Sequence, residues 1–248
     1  MRYERTQSGN PHRLTINQHV FPKASIARFA QDDGLVAICL LEQQRTVRLP
    51  PQDPVFCARR AWNQTTEHGL MKQLEDAFQR VAKRVLERTT ILPLNPSENG
   101  MVSQFYALVR LRADAKRKPQ TDIKIKAVLP GETLSTNEEE LLEKNGYIFT
   151  RGTSMPSRHM ESIRIQVLLS RLCPPDTVWA PIYSRAIEFL VPDSFREIGI
   201  VPVSPQLCLV ANSKGGEVLP ANAISINRLA IDKASKYYFA RDLSLCGI

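Results

Sequence analysis

The hydrophobic period of this chain changes twice, and that constrains its fold more than any single motif. Residues 35–41 form a continuous apolar run with the Val and Ile that suit a buried strand. Asp32-Asp33-Gly34 precedes it as a turn signal. The alternating Arg45-Thr46-Val47-Arg48-Leu49 reads as its hairpin partner through Glu42-Gln43-Gln44. Pro50-Pro51-Gln52-Asp53-Pro54 then breaks regular structure. Over 70–88 the period becomes helical: Leu70, Leu74, Phe78, Val81 and Val85 form one stripe, opposite Lys72, Asp76, Arg80, Lys83, Arg84 and Glu87.

A second helix is expected over 98–116. Ser97 is its cap, Met101, Phe105, Leu108 and Val109 its apolar face, and Lys118-Pro119 its stop. Thr136-Asn137-Glu138-Glu139 matches a capping box and Asn145-Gly146 a C-cap, so a short acidic helix carrying Leu141 and Leu142 lies between them. Ser157 is read as the cap of a further helix with Met160, Ile163, Val167 and Leu168, closed by Cys173-Pro174-Pro175.

Past Val178 the strand pattern returns, over 178–183, 186–191, 198–203 and 207–211. Lys214-Gly215-Gly216 reads as a hairpin turn. A last helix near 227–236 is expected to bury Leu229, Ala230 and Ala234, and Tyr237-Tyr238-Phe239-Ala240 to return to a sheet. Strands first and last with helices between give an α+β class: a central helical block, an N-terminal hairpin and a C-terminal, mostly antiparallel sheet. Early and late strands could share one sheet, so one domain over 1–248 is expected, with a boundary near 175 as the alternative.

A chain of 248 residues, 43% of them hydrophobic, can bury a core without disulfides. Its five cysteines, Cys39, Cys57, Cys173, Cys208 and Cys246, are scattered and show no metal-ligand spacing. They read as reduced thiols of a cytoplasmic protein, with Cys39 and Cys208 as small core residues. No apolar run approaches the roughly 18 residues of a membrane span. The N-terminal stretch, with Arg2, Arg5 and Arg13, lacks the apolar core of a secretory signal. A soluble, intracellular protein is therefore expected.

The net charge is +8. Cations concentrate over 72–126, where Arg80, Lys83, Arg84, Arg110, Lys116, Arg117 and Lys118 are the candidates for contacting RNA or DNA. Acids gather at Glu132, Glu138, Glu139, Glu140 and Glu143. The competing reading is two solvated helix faces of opposite sign.

Near the start stands Asn17-Gln18-His19-Val20-Phe21-Pro22-Lys23, followed by Arg28-Phe29-Ala30. Pro22 fixes its own φ and pushes Phe21 toward an extended conformation, so His19 rides on a stiff segment. Further on stand Glu67 and Glu75, then Leu108-Val109-Arg110-Leu111-Arg112, then Ile200-Val201-Pro202-Val203-Ser204-Pro205 and Ile226-Asn227-Arg228. In this order the chain resembles a large family catalogued as domain of unknown function 4238. That family opens on His-x-x-Pro, matched by His19 and Pro22, then Arg28 and Phe29. Glu67, Glu75 and Arg112 match its later polar positions. One departure stands out: the family's Ser-Asp-Asn-Pro-like loop is degenerate here, at Val191-Pro192-Asp193-Ser194. The resemblance implies a layout and brings no mechanism.

His19, Glu67, Glu75 and Arg112 are the candidate catalytic residues. An imidazole with two carboxylates can act as acid and base or hold a divalent metal, and an arginine can bind phosphate. Together they suit phosphodiester cleavage. On a straight helix, however, Glu67 and Glu75 would stand roughly 12 Å apart along the axis, too far to share one ion directly. The competing reading is that His19 braces the N-terminal segment and that Glu75 and Arg112 form an interhelical ion pair. No phosphate loop, nucleophile elbow, zinc-protease helix or dinucleotide fingerprint is present. The functional expectation is nucleic-acid binding or cleavage, in a defence or mobile-element setting. The alternative is a non-catalytic protein-interaction or sensor module that works with a protein partner.

Overall fold

The computed structural model describes residues 4–87, 93–117, 121–126, 133–160, 163, 164, 167, 171 and 177–248. Its elements begin with β1 (Asn17–His19), α1 (Lys23–Ala27), β2 (Val36–Leu40), β3 (Arg45–Leu49) and β4 (Cys57–Arg59). The helical block follows as α2 (Lys72–Glu87) and α3 (Pro96–Arg117), then β5 (Ile123–Lys124), α4 (Thr136–Lys144) and β6 (Ser154–Met155). The last part holds β7 (Trp179–Tyr183), β8 (Val191–Pro192), β9 (Ile200–Ser204), β10 (Leu207–Ala211), β11 (Gly216–Glu217), α5 (Pro220–Lys233) and β12 (Tyr237–Ala240). The fold is α+β, as the changes of period predict.

Two four-stranded sheets organise the strands. One runs β3-β2-β12-β8, and every pairing in it is antiparallel. The N-terminal hairpin and the closing strand therefore lie in one sheet, with Tyr237 opposite Leu40 and Ala240 opposite Ala37. The other runs β11-β7-β10-β9. Only β11 on β7 is parallel there, so Lys214-Gly215-Gly216 is a crossover and not the hairpin turn expected. Gly215 suits that path: its φ is +72°, and a Cβ would meet the Pro181 carbonyl at 3.0 Å. Two short ladders, β1 on β4 and β5 on β6, complete the pairing.

A core rich in phenylalanine fills the space between the sheets and the helices. Phe21 stacks on Phe195 at 5.6 Å, and Phe239 meets Phe21, Phe29 and Phe56. A second, smaller cluster gathers Val20, Trp62, Met71, Leu74 and Leu108. α3 serves both, sending Phe105 and Val109 to the first and Leu108 and Ala113 to the second. It is therefore buried on more than the one face its sequence implied.

Several sequence boundaries shift for identifiable reasons. The cap of α3 is Asn95, not Ser97: its side chain accepts the Glu98 N–H (3.0 Å) while Glu98 accepts its backbone N–H (2.9 Å). Pro96 then sits at the first helical position, where no N–H is needed. The capping box of α4 is Ser135 with Glu138, one residue before the expected Thr136. α5 starts at Pro220 and leaves Leu229 40% exposed, while Ala230 is buried. Ser157 opens a 3-10 turn, Ser157–His159, after Pro156.

The expected strand over 186–191 is strand only from Val191. The Leu190 N–H instead donates to the Asn227 side chain (3.1 Å), whose amide donates to the carbonyls of Glu188 (2.7 Å) and Cys246 (2.9 Å). A buried side chain replaces a ladder partner. Cys39, Cys57, Cys208 and Cys246 are free thiols. The expectations placed on Arg88, Lys118-Pro119, Glu132, Leu168 and Cys173-Pro174-Pro175, and the boundary near 175, lie outside the described residues. Among the described residues, no helix is long and apolar enough to cross a membrane.

Candidate functional site

Three of the four singled-out residues, Glu67, Glu75 and Arg112, meet around one guanidinium, while His19 is held apart by the Pro51 carbonyl. Arg112, on α3, is 1% exposed. Its Nη1 bonds Glu75 on α2, and its Nη2 lies 3.5 Å from Glu67. Trp62, which sequence reasoning overlooked, completes the group. Its indole N–H donates to Glu67, and the guanidinium carbon sits 5.2 Å from its ring centroid. A cation over an indole face is favourable where water is excluded. The Arg112 Nε is buried without a hydrogen-bond partner among the described residues.

A straight helix would have kept the carboxylates apart. Glu67 instead begins a π turn, Glu67–Met71, that bends at Gly69 before α2 starts. That wider, bent turn lets both acid side chains reach the same arginine.

His19 ends β1, directly opposite Cys57 of β4. Val20 and Phe21 beyond it anchor in the two hydrophobic clusters. Before it, the buried Gln18 ties the strand to the loop ahead of α2, accepting the Ala61 N–H (2.7 Å) and donating to the Trp62 carbonyl (2.7 Å). The ring is fixed by a 3.0 Å hydrogen bond between Nε2 and the Pro51 carbonyl. Burial lowers its pKa below the ordinary imidazole value, partly offset by the Pro51 bond and by the charge of Glu67. Burial raises the Glu75 carboxyl, against the pull of Arg112. Burial thus shifts both groups toward their uncharged forms, the imidazole on its own segment and the carboxyl against Arg112.

Metal binding by the same residues finds less support. The two carboxylates point at Arg112. Among the described residues, no three His, Cys, Asp or Glu side chains gather as metal ligands would.

The cationic stretch does not form one surface. Arg84 pairs with Glu98, and Arg117 bonds Asp114 at 2.8 Å. Lys116 turns inward, donates to the Val55 carbonyl and lies 4.8 Å from the Tyr237 ring centroid. Arg80 and Lys83 are exposed, with Lys83 3.8 Å from Glu87, and Arg110 is half-buried. Lys118 lies outside the described residues.

The acidic stretch is not a solvated face either. Glu139, Glu140 and Glu143 of α4 are buried. Glu143 bonds Arg60 (2.8 Å) and Arg158 (2.9 Å), and Glu139 bonds Arg151 (2.5 Å). Glu4 of the N-terminal segment also joins Arg151 (2.6 Å) and Arg158 (2.7 Å).

Compared with family models, with curated proteins and with solved structures, the chain matches none.

Proposed function

We propose that the protein binds nucleic acid and cleaves its phosphodiester bonds by acid–base chemistry at the Arg112 cluster. The observation that carries this reading is the convergence of Glu67 and Glu75 on the buried Arg112 guanidinium, with His19 near enough to feel the charges of Glu67 and Arg112. His19 in its neutral form takes a proton from the water that attacks phosphorus, and Glu75 supplies a proton to the leaving oxygen as its P–O bond breaks. Arg112 is a positioning residue, since it is closed from solvent and orients both carboxylates. Arg80 and Lys83, exposed on the helix that carries Glu75, contact the phosphate backbone.

The test is filter binding and cleavage of single-stranded RNA and DNA. Retention is expected at low salt and should weaken as salt rises. His19→Ala should lower cleavage by about 10²–10⁴-fold while leaving retention intact. Absence of retention at low salt would overturn the proposal.

A second reading, a non-catalytic interaction or sensor module with a protein partner, is favoured by one feature. Glu75 and Arg112 form the interhelical pair that a purely structural role would require.

A further inference from the structure

Lys116 follows Arg112 by one helical turn, and it lines a different concavity. Its ammonium is held between the Val55 carbonyl and the face of the Tyr237 ring, both largely shielded from water. The concavity is also lined by Arg117, Asp193, Ser194, Ser235 and Lys236. These residues come from the end of α3, the loop after β8 and the approach to β12. The loop is the one where the chain departs from the family's Ser-Asp-Asn-Pro-like pattern.

The charge count at this place is unequal. Among the described residues of the lining, Lys116, Arg117 and Lys236 supply three cations and Asp193 one carboxylate. Asp193 is already committed to backbone: one oxygen accepts the Ser235 N–H (2.7 Å) and the other the Lys236 N–H (2.9 Å). Arg117 does have an outside partner in Asp114 (2.8 Å), but that same oxygen is shared with Arg196 (2.8 Å). Burial pushes the Lys116 ammonium down to about 8, with Asp193 and the Cys57 thiol pulling it up and Lys236 pushing it down. Two serine hydroxyls stand beside it as donors.

We propose that this concavity is a binding site for a phosphate group. A phosphate at the mouth offers oxygens to the Arg117 fork, to Lys236 and to the Ser235 hydroxyl, and sets its charge against the Lys116 ammonium behind them. The interior admits about one water as it stands. The group therefore seats at the mouth, with the exposed Ser235 and Lys236 turning onto it. The site needs none of His19, Glu67 or Glu75, so it stands or falls apart from the cleavage reading. Its phosphate could be a free phosphate or phosphomonoester, or one link of a nucleic-acid backbone.

Thermal melts at constant ionic strength separate these sources. One arm adds inorganic phosphate against chloride, and the other adds an oligonucleotide without terminal phosphates. Each is repeated on Lys236→Gln and on the double variant Arg117→Gln/Lys236→Gln. These positions are surface-accessible, so the variants fold even where Lys116→Met does not. A rise in melting temperature with inorganic phosphate, its half-maximal concentration shifted tenfold or more in the double variant, supports the site with free phosphate as ligand. The same variant-sensitive rise with the oligonucleotide alone supports it with the backbone as ligand. No rise in either arm, or a rise that the double variant keeps, overturns it. His19→Ala, run alongside, should leave every one of these shifts unchanged.

Discussion

His159 is 1% exposed, and its Nε2 has no hydrogen-bond partner among the described residues. Its Nδ1 lies 3.4 Å from the Asn63 amide, and its ring stands edge-on to Phe149 at 4.7 Å. Burial pushes the imidazole down to about 4. Arg158 and Arg151 add to that, while Glu143 and Glu4 oppose it. Unfolded, a histidine titrates near 6.5. Between those values the unfolded chain binds the proton that the folded chain refuses. This residue's contribution to stability is therefore intact above about pH 6.5 and is lost as pH falls toward 4. Urea melts across that window should show a steeper loss for the natural chain than for His159→Gln. Superimposable pH profiles would refute the assignment. Trp62 shows the same dependence on neighbours. One of two tryptophans, it carried no sequence signal of its role, because only the fold sets its ring beside Arg112 and its N–H on Glu67.

At the scale of the element, α4 inverts the usual pattern of an amphipathic helix. Glu139, Glu140 and Glu143 face inward and Leu141 is 46% exposed. The exchange is tolerated because Arg60, Arg151 and Arg158 wait for those acids from other parts of the chain. Removing one partner of a buried pair strands the other charge. Glu143→Ala should thus cost about 3–5 kcal/mol, since two arginines lose their shared carboxylate. Leu141→Glu, on the outward face of the same helix, should stay within about 0.5 kcal/mol. Chemical denaturation of the two variants checks the contrast. Equal losses would mean that the helix does not bear on the ion network as described.

At the scale of the molecule, the closing strand joins what the chain order separates. β12 lies between β2 and β8, and Phe239 touches three aromatic rings of the N-terminal half. Ending the chain after Lys236 would leave β2 with an open edge and Phe21, Phe29 and Phe56 without their common neighbour. Such a truncation should abolish cooperative unfolding, read by circular dichroism on heating. A truncated chain that melts sharply near the full-length temperature would show that β12 is dispensable. The same scale explains the charge. The net +8 suggests a broad basic surface. Within the cationic stretch, pairing with Glu98 and Asp114 and the inward turn of Lys116 leave Lys72, Arg80 and Lys83 exposed on α2 and a small cationic concavity apart from them.

The sequence by itself determined the class of the fold and most of its elements: the hairpin of β2 and β3, the stripe of α2, the Asn145-Gly146 stop and the return of strands after Val178. These are local patterns, set by side-chain period and turn chemistry. It also marked His19, Glu67, Glu75 and Arg112. It placed the two acids on a straight helix, however, because a π turn with a bend at Gly69 has no distinct spacing. Only the tertiary structure decided where the charges go. A glutamate or a lysine looks solvated in any local window. Whether it is buried depends on which distant residue arrives to meet it, as Arg60 meets Glu143 and the Val55 carbonyl meets Lys116.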